Sequence, residues 1–240
     1  MLKHKRTWVF AAFLALFAGV MVPGGRPAQA SVSHADLAAY WAPDFYQDVN
    51  ATYGYTADFI TNFDYDGDWQ GNNNWENLYS YPLYSYVYYS VVETTTHYFI
   101  GYYDYHPRDD GPLTLDRHEN DMEGVLLVIR KDGSTYGSFQ LMITVSHNEF
   151  YQYTNDPSIT SGHDNVDGGV LFRGSHPKVF IQANGQSPWG GHGNLAYDGS
   201  GAPGGDGIVY QYGGTADIVT NATGDYVYTY SYALKSIDEF

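Results

Sequence analysis

Short apolar and tyrosine-rich runs recur along this chain, each bounded by clusters of Gly, Asn and Asp. That is the pattern of strands closed by turns. It predicts strands over roughly 84–93, 96–105, 122–130, 135–146, 177–183, 207–212 and 225–233. Residues 125–130 are apolar on both faces, which predicts a central strand. Lys131-Asp132-Gly133-Ser134 lies between two such runs and reads as a hairpin, because Gly accepts positive φ. The best helix candidate, Ala35–Tyr40, is short. Residues 58–78 read as an acidic, Asn-rich loop. Residues 184–207 carry nine glycines and two prolines and read as a long irregular loop, of the kind that serves a site. The expected fold is all-β: a single-domain antiparallel β-sandwich with long Gly/Asn/Asp-rich loops.

The N-terminus departs from this pattern. Lys3, Lys5 and Arg6 precede an apolar run from Trp8 to Val22, and Ala28-Gln29-Ala30 is a small-x-small cleavage sequence. Residues 1–30 therefore read as a secretory signal peptide, leaving one domain over 31–240 and a secreted product. All four basic residues of that segment leave with it. The remainder has 7 Lys+Arg against 27 Asp+Glu, a formal charge of −20. Such a chain repels nucleic acid and anionic lipid. With no Cys anywhere, disulfides and thiolate zinc sites are excluded. No later stretch is apolar for long enough to span a bilayer as a helix. Composition says nothing about oligomeric state.

The strongest chemical signal is His118-Glu119-Asn120-Asp121-Met122-Glu123, followed directly by an apolar strand. Side chains alternate along a strand, so Asp121 and Glu123 share one side at its mouth, with His118 upstream. Asp109 and Asp110 lie nearby in sequence. Such clustered acids repel one another, and a divalent cation would relieve that repulsion. Mostly oxygen donors suit Mg, Ca or Mn, with Zn also compatible. The same groups would also serve as an acid/base site. Asp64, Asp66 and Asp68, alternating around Gly67, resemble part of a calcium loop and form a second candidate calcium site. His147, His176 and His192 flank strands or lie in the Gly-rich loop. Loops converge at one end of a sandwich, so these histidines are candidates to line one cleft. Trp189, in the same Gly-rich loop, is a candidate face for a sugar ring.

Pro107-Arg108-Asp109, then His118-x-x-Asp121-x-Glu123 opening an apolar strand, resembles the necrosis- and ethylene-inducing peptide-like (NPP1-type) proteins. It also resembles the vacuolar protein sorting sixty-two-like family, to which Gly174-Ser175-His176-Pro177-x-Val179-Phe180 is similar in its later half. The motif departs from the first family at Met122, where a Trp is usual, at Asn120, where a His is usual, and in lacking a Cys pair. The resemblance implies a β-sandwich with a divalent cation in an acidic cavity. Its ligands would be Asp109, His118, Asp121 and Glu123. It also implies a secreted, toxin-like, lectin-like protein that recognises sphingolipid sugar headgroups.

The functional expectation is a secreted metal-binding protein that recognises an extracellular glycan or glycolipid headgroup, through Trp189 and His176 among others. The alternative is a metal-dependent hydrolase or lyase acting on an extracellular polysaccharide or phosphoester, with His147 or His192 as catalytic base. A third class is a structural exported protein whose Asp loops hold Ca²⁺.

Overall fold

The computed structural model describes residues 32–112, 117–159, 165–185 and 191–240. The expected signal peptide and Trp189 lie outside these residues. The predicted helix is present as α1, His34–Trp41, and buries Leu37, Ala38 and Trp41. The Ser33 side chain caps it, accepting from the Asp36 amide at 3.0 Å. Among the described residues eleven strands follow, with a 3-10 turn, Tyr55–Asp58, and a short helix, α2 (Asn74–Asn77), between the first two.

In chain order the strands are β1 (Asp44–Asp48), β2 (Tyr86–Glu93), β3 (His97–Asp109), β4 (His118–Arg130), β5 (Ser138–Ser146) and β6 (Glu149–Tyr153). Then come β7 (Phe172–Arg173), β8 (His176–Ile181), β9 (Asn194–Ala196), β10 (Gly207–Tyr212) and β11 (Asp225–Ser236). They hydrogen-bond in the order β6-β5-β4-β3-β2-β11-β10-β1-β8-β7, with β9 also beside β8. β11 serves both halves of this path. Its residues up to Tyr232 pair with β10, and Ala233–Ser236 pair with β2. β9 packs against β5 and β4, so the far end of the path returns to the near one.

The all-β expectation holds, and β4 is interior as its apolar faces require. The purely antiparallel expectation does not. β1 runs parallel to β8, and β11 runs parallel to both β10 and β2. Tight turns join only antiparallel neighbours. These parallel pairs are reached through long connections whose destination no turn residue announces. The 184–207 stretch is also less irregular than expected, since β9 lies within it. β5 begins at Ser138 rather than 135, because the connection after β4 has two positive-φ glycines, Gly133 at 91° and Gly137 at 72°.

Four strands were not predicted from the sequence: β1, β6 and the very short β7 and β9. β1 reads Asp-Phe-Tyr-Gln-Asp, yet it lies between β10 and β8 with Asp44, Gln47 and Asp48 buried. Asp44 survives burial because Arg173 grips both its oxygens at 2.7 Å. Gln47 donates its amide to the carbonyls of Asp48 and Gln182. β6, Glu-Phe-Tyr-Gln-Tyr, is only five residues long and lies at the end of the strand order.

The abundance of tyrosine has a structural cause. A buried phenol is tolerated when its hydroxyl finds a partner. Tyr102 donates to Ala38 O of α1 and Tyr232 to Pro43 O, each at 2.7 Å. Tyr210 accepts from the Ile60 amide and Tyr88 from the Phe63 amide. Each ring fills the core while its oxygen pins helix α1 or a loop. In a chain without cysteine these pins fix the long connections to the sheet.

A candidate cation site at the mouth of the long hairpin

β3 and β4 pair antiparallel with Asp104 opposite Glu123, His106 opposite Asp121 and Asp109 opposite His118. Between the last two pairs stand Pro107, which has no amide donor, and Asn120, at φ 61°. Asn tolerates this left-handed conformation. Asn120 is held there from three sides. Its Oδ1 accepts from Tyr105 Oη at 2.8 Å and Asn74 Nδ2 at 2.7 Å, and its Nδ2 donates to Gly71 O. Asn at the position where the resembled family has His therefore fits the local backbone.

The interior of this mouth is acidic. Asp58, Asp104, Asp109, Asp121 and Glu123 are all buried, together with His106 and His192. His192 is the hub. Its Nδ1 donates to Asp121 Oδ2 at 2.9 Å, and its Nε2 lies within ion-pair reach of Asp58 Oδ1 at 3.4 Å. The His192 ring stacks on His106, with centroids 3.7 Å apart and planes 7° from parallel. His106 Nε2 in turn donates to Asp104 Oδ2 at 3.3 Å, and Asn194 Nδ2 donates to Asp104 Oδ1 at 2.7 Å. Asp58 accepts from three further donors: the Asn50 amide at 2.8 Å, the Asn184 amide at 2.6 Å and Asn184 Nδ2 at 2.7 Å.

The Gly-rich loop fits here because it lacks side chains. A Cβ on Gly191 would sit 1.9 Å from Asp109 Oδ2, and one on Gly193 would sit 2.1 Å from Ser146 Oγ. The glycines flanking His192 let the backbone lie directly against the acids and carry the imidazole inside.

Charge in this cluster is unbalanced. Burial alone would strip the proton from His192, but the hydrogen bond to Asp121 and the approach of Asp58 overcome it and raise the pKa to about 10. Asp121 is correspondingly held below its ordinary value: burial pushes it up, and the contact with His192 outweighs that. Asp109 and Glu123 have no imidazole within hydrogen-bond distance, their nearest rings being His118 at 3.8 Å and His147 at 3.9 Å. Burial lifts Asp109 to about 7 against the pull of His192, with Asp121 adding to the rise. Burial and the neighbouring Asp121 lift Glu123 to about 8. His106 is pushed down by burial and by His192 beside it. Asp109 Oδ1 is buried and has no hydrogen-bond partner among the described residues.

Two histidines form the outer rim. His118 is half exposed, with Nε2 3.8 Å from Asp109 Oδ2. His147 occupies the β5–β6 turn at φ 55°. Its amide donates to Glu123 Oε1 at 2.9 Å, and its ring Nδ1 lies 3.9 Å from the same oxygen. The structure thus gathers Asp109, His118, Asp121, Glu123, His147 and His192 at one place. As placed, these side chains do not close on a common point. Among the described residues no three or more His, Asp or Glu side chains are gathered closely enough to enclose a metal ion.

The other sequence candidates stand apart. His176 begins β8 and donates Nδ1 to Ala42 O at 2.6 Å. It is five residues before Ile181 at the strand's far end, roughly 17 Å at about 3.3 Å per residue. The Asn184 that reaches Asp58 lies beyond that far end. Asp64, Asp66 and Asp68 accept from Asn62 Nδ2 at 2.6 Å, Asn77 Nδ2 at 2.7 Å and the Gln70 amide at 2.7 Å, respectively. Sequence reasoning placed Asp104 and His106 in the run 102–110 beside the candidate cluster without giving either a role, and did not select Asp58, Asn184 or Asn194. Asp104 and His106 had a legible signal: extending β3 past 105 puts both on the side that holds Asp121 and Glu123. Asp58, in a polar stretch with no periodicity, had none.

No family model matches the chain, and no curated protein does. Among solved structures it is similar to the non-toxic HaNLP3 protein (16% identity, 87% of this chain, 77% of that one, TM-score 0.41). It is also similar to Necrosis and Ethylene inducing Protein 2 from the causal agent of cocoa's Witches Broom disease (12% identity, 86% and 76%, TM-score 0.38). A third is NLPPya in complex with glucosamine (15% identity, 68% and 54%, TM-score 0.36). The chain spans about half the length of some of these structures, 52% in one described as a toxin fold for microbial attack and plant defense. Among the described residues no helix is long and apolar enough to cross a membrane.

Proposed function

We propose that this chain is an exported, toxin-like protein that binds a divalent cation at the β3–β4 mouth and, through it, an extracellular glycan or glycolipid headgroup. The observation that carries the reading is the burial of five carboxylates, from Asp58, Asp104, Asp109, Asp121 and Glu123, beside only two imidazoles, His106 and His192. Burying carboxylates without counter-charge is costly. Without a cation the cluster keeps protons on Asp109 and Glu123, and a divalent ion is the natural replacement. Asp109, Asp121 and Glu123 supply hard oxygen donors and His118 a nitrogen. The orphaned Asp109 oxygen fits a ligating role. Closing these donors on one ion requires them to draw together across the two strands. The bound cation would offer vicinal sugar hydroxyls a positive centre, with His118 and His147 at the rim as hydrogen-bonding partners.

Glycan-array binding of residues 31–240, with and without chelator, tests this. Chelator-sensitive binding is expected. Binding that ignores chelator removes the cation from recognition, and no binding to any glycan removes the glycan.

One observation favours the enzymatic alternative. Asp121 is held ionised while Glu123, two residues on, keeps its proton to about pH 8. Carboxyls pushed apart in this way form an acid/base pair. His192, clasped by two carboxylates, keeps its proton and is not in the state of a general base. In this reading His147 remains the candidate base. Turnover of a polysaccharide, lost in Glu123→Gln with binding retained, would select it.

A further inference from the structure

The β3–β4 hairpin has a second face, and its chemistry is the opposite of the acidic one. Asp104, His106, Asp121 and Glu123 take one side of the two strands, and Gly101, Tyr103, Gly124 and Leu126 take the other. A glycine inside a strand packs nothing, and it often marks the close approach of another group. Here the group is Tyr103. A Cβ on Gly101 would sit 2.5 Å from Tyr103 Oη, and one on Gly124 would sit 3.1 Å from Tyr103 Cδ1. The phenol ring therefore lies down on the sheet across both glycines. The Tyr103 and Ser90 hydroxyls hydrogen-bond at 3.0 Å, which holds the ring there. With the ring flat and no side chain on Gly124, a cavity of about 430 Å³ opens on this face of β3–β6. Leu126, Ile143, Val145 and Phe150 wall it, and Tyr103 lies at its base. Phe150 is 68% exposed.

We propose that this cavity binds a small uncharged molecule with an aromatic ring, which stacks on Tyr103 and packs against Phe150 and the aliphatic walls. Size favours a ligand over a second copy of the chain. Small-molecule pockets run from about 300 to about 1,000 Å³, and an apolar cavity of about 150 Å³ already takes up benzene. The floor, from β3 to β6 and from Met122 to Leu126, covers on the order of 200 Å² at ordinary strand spacings. A stable protein interface needs about 800 Å² per partner. Charge favours an uncharged occupant. Among the described residues no Lys, Arg or His lines the cavity, and the chain carries a formal charge of −16 at pH 7. A carboxylate ligand would meet repulsion and no counter-charge. A sugar would leave most of its hydroxyls without partners against these walls. The cavity is thus separate from the glycan reading, and the proposal does not rest on it or on a cation.

The test is a fluorescence titration of residues 31–240 with N-phenyl-1-naphthylamine, an uncharged aromatic probe, at pH 7 with and without EDTA. The competitors are 2-naphthol and 2-naphthoate, which share a ring system and differ in charge. The variants are Ile143→Trp, which fills the cavity from β5, and Phe150→Ala, which removes a wall. Val227→Ser is the control, since Val227 is 67% exposed on β11, outside the cavity. One saturable probe site is expected, displaced by 2-naphthol and not by 2-naphthoate, with EDTA making no difference. Ile143→Trp should abolish binding. Phe150→Ala should weaken it about 3- to 10-fold, the range for losing one aromatic contact, and Val227→Ser should leave it unchanged. If Ile143→Trp does not fold, Phe150→Ala at its exposed position carries the test. No saturable binding by wild type, or wild-type affinity in the folded cavity variants, would overturn the proposal. So would an equal loss in Val227→Ser, which would mark unspecific apolar adsorption. Displacement by 2-naphthoate as readily as by 2-naphthol would overturn the charge selection, and loss of binding in EDTA would put the probe at the acidic mouth instead.

Discussion

Two acidic regions of this molecule look alike in sequence and differ in physics. In the loop holding Asp64, Asp66 and Asp68 each carboxylate has its own donor, from Asn62, Asn77 or a backbone amide, and Lys235 stands 3.8 Å from Asp64. These acids are capped turns, solvated and locally satisfied. At the β3–β4 mouth five carboxylates are buried beside two imidazoles, and Asp109 Oδ1 has no hydrogen-bond partner among the described residues. Clustered aspartates alone therefore say little. What matters is whether burial leaves them without enough counter-charge.

The largest expected effects break the buried side of this comparison. Gly191→Ala would put a methyl 1.9 Å from Asp109 Oδ2. We expect destabilisation of about 1–3 kcal/mol, typical of overpacking, together with loss of cation binding. Urea unfolding and Mn²⁺ titration would show both.

The pH dependence comes next. Asp109, Glu123 and His192 all have folded-state pKa values above their ordinary ones, at about 7, 8 and 10. A raised value contributes stability that is fully present below the unfolded-state pKa and lost as pH rises through the folded one. These three groups should make the cation-free protein lose stability between about pH 4 and pH 10, with His106, whose pKa is lowered by burial, opposing the trend near its ordinary range. Asp121 is depressed, so its contribution disappears only on acidification below the ordinary Asp range. Urea midpoints from pH 5 to 9 would measure this, and saturating divalent cation should flatten the decline. A midpoint that rises through neutrality without metal would break the comparison.

Smaller effects sharpen it. Tyr232→Phe leaves Pro43 O without its donor and should cost about 1–3 kcal/mol, with no change in cation affinity. Gly137→Ala should cost more than Gly133→Ala. Both glycines have positive φ, but a Cβ at 137 would meet Arg130 O at 2.6 Å, while at 133 it would meet open space. Asp68→Ala should move stability by about 0.5 kcal/mol or less, as for a surface position. If it also removes a bound Ca²⁺, the exposed loop is a site after all.

Most of the sheet was legible in the sequence, because apolar and aromatic runs with Gly/Asn/Asp turns mark strands independently of their partners. β1 was not, since one of its acids, Asp44, is neutralised by Arg173, which lies 129 residues away. Parallel pairing was not, since it depends on long connections rather than turns. The outer part of the candidate site was legible from the period-two spacing of Asp121 and Glu123. Its inner part was only partly so: His106 follows from extending β3, whereas Asp58 and Asn194 become chemistry only when distant segments meet. His192 was picked as a loop histidine, but its burial between two carboxylates depended on glycines admitting the loop.

The most direct test of the central claim is a Mn²⁺ titration of the mature domain at neutral pH, comparing wild type with Asp121→Asn. The account predicts one ion per chain for wild type and affinity at least about tenfold weaker in the variant. No binding by wild type, or equal binding by Asp121→Asn, would contradict it.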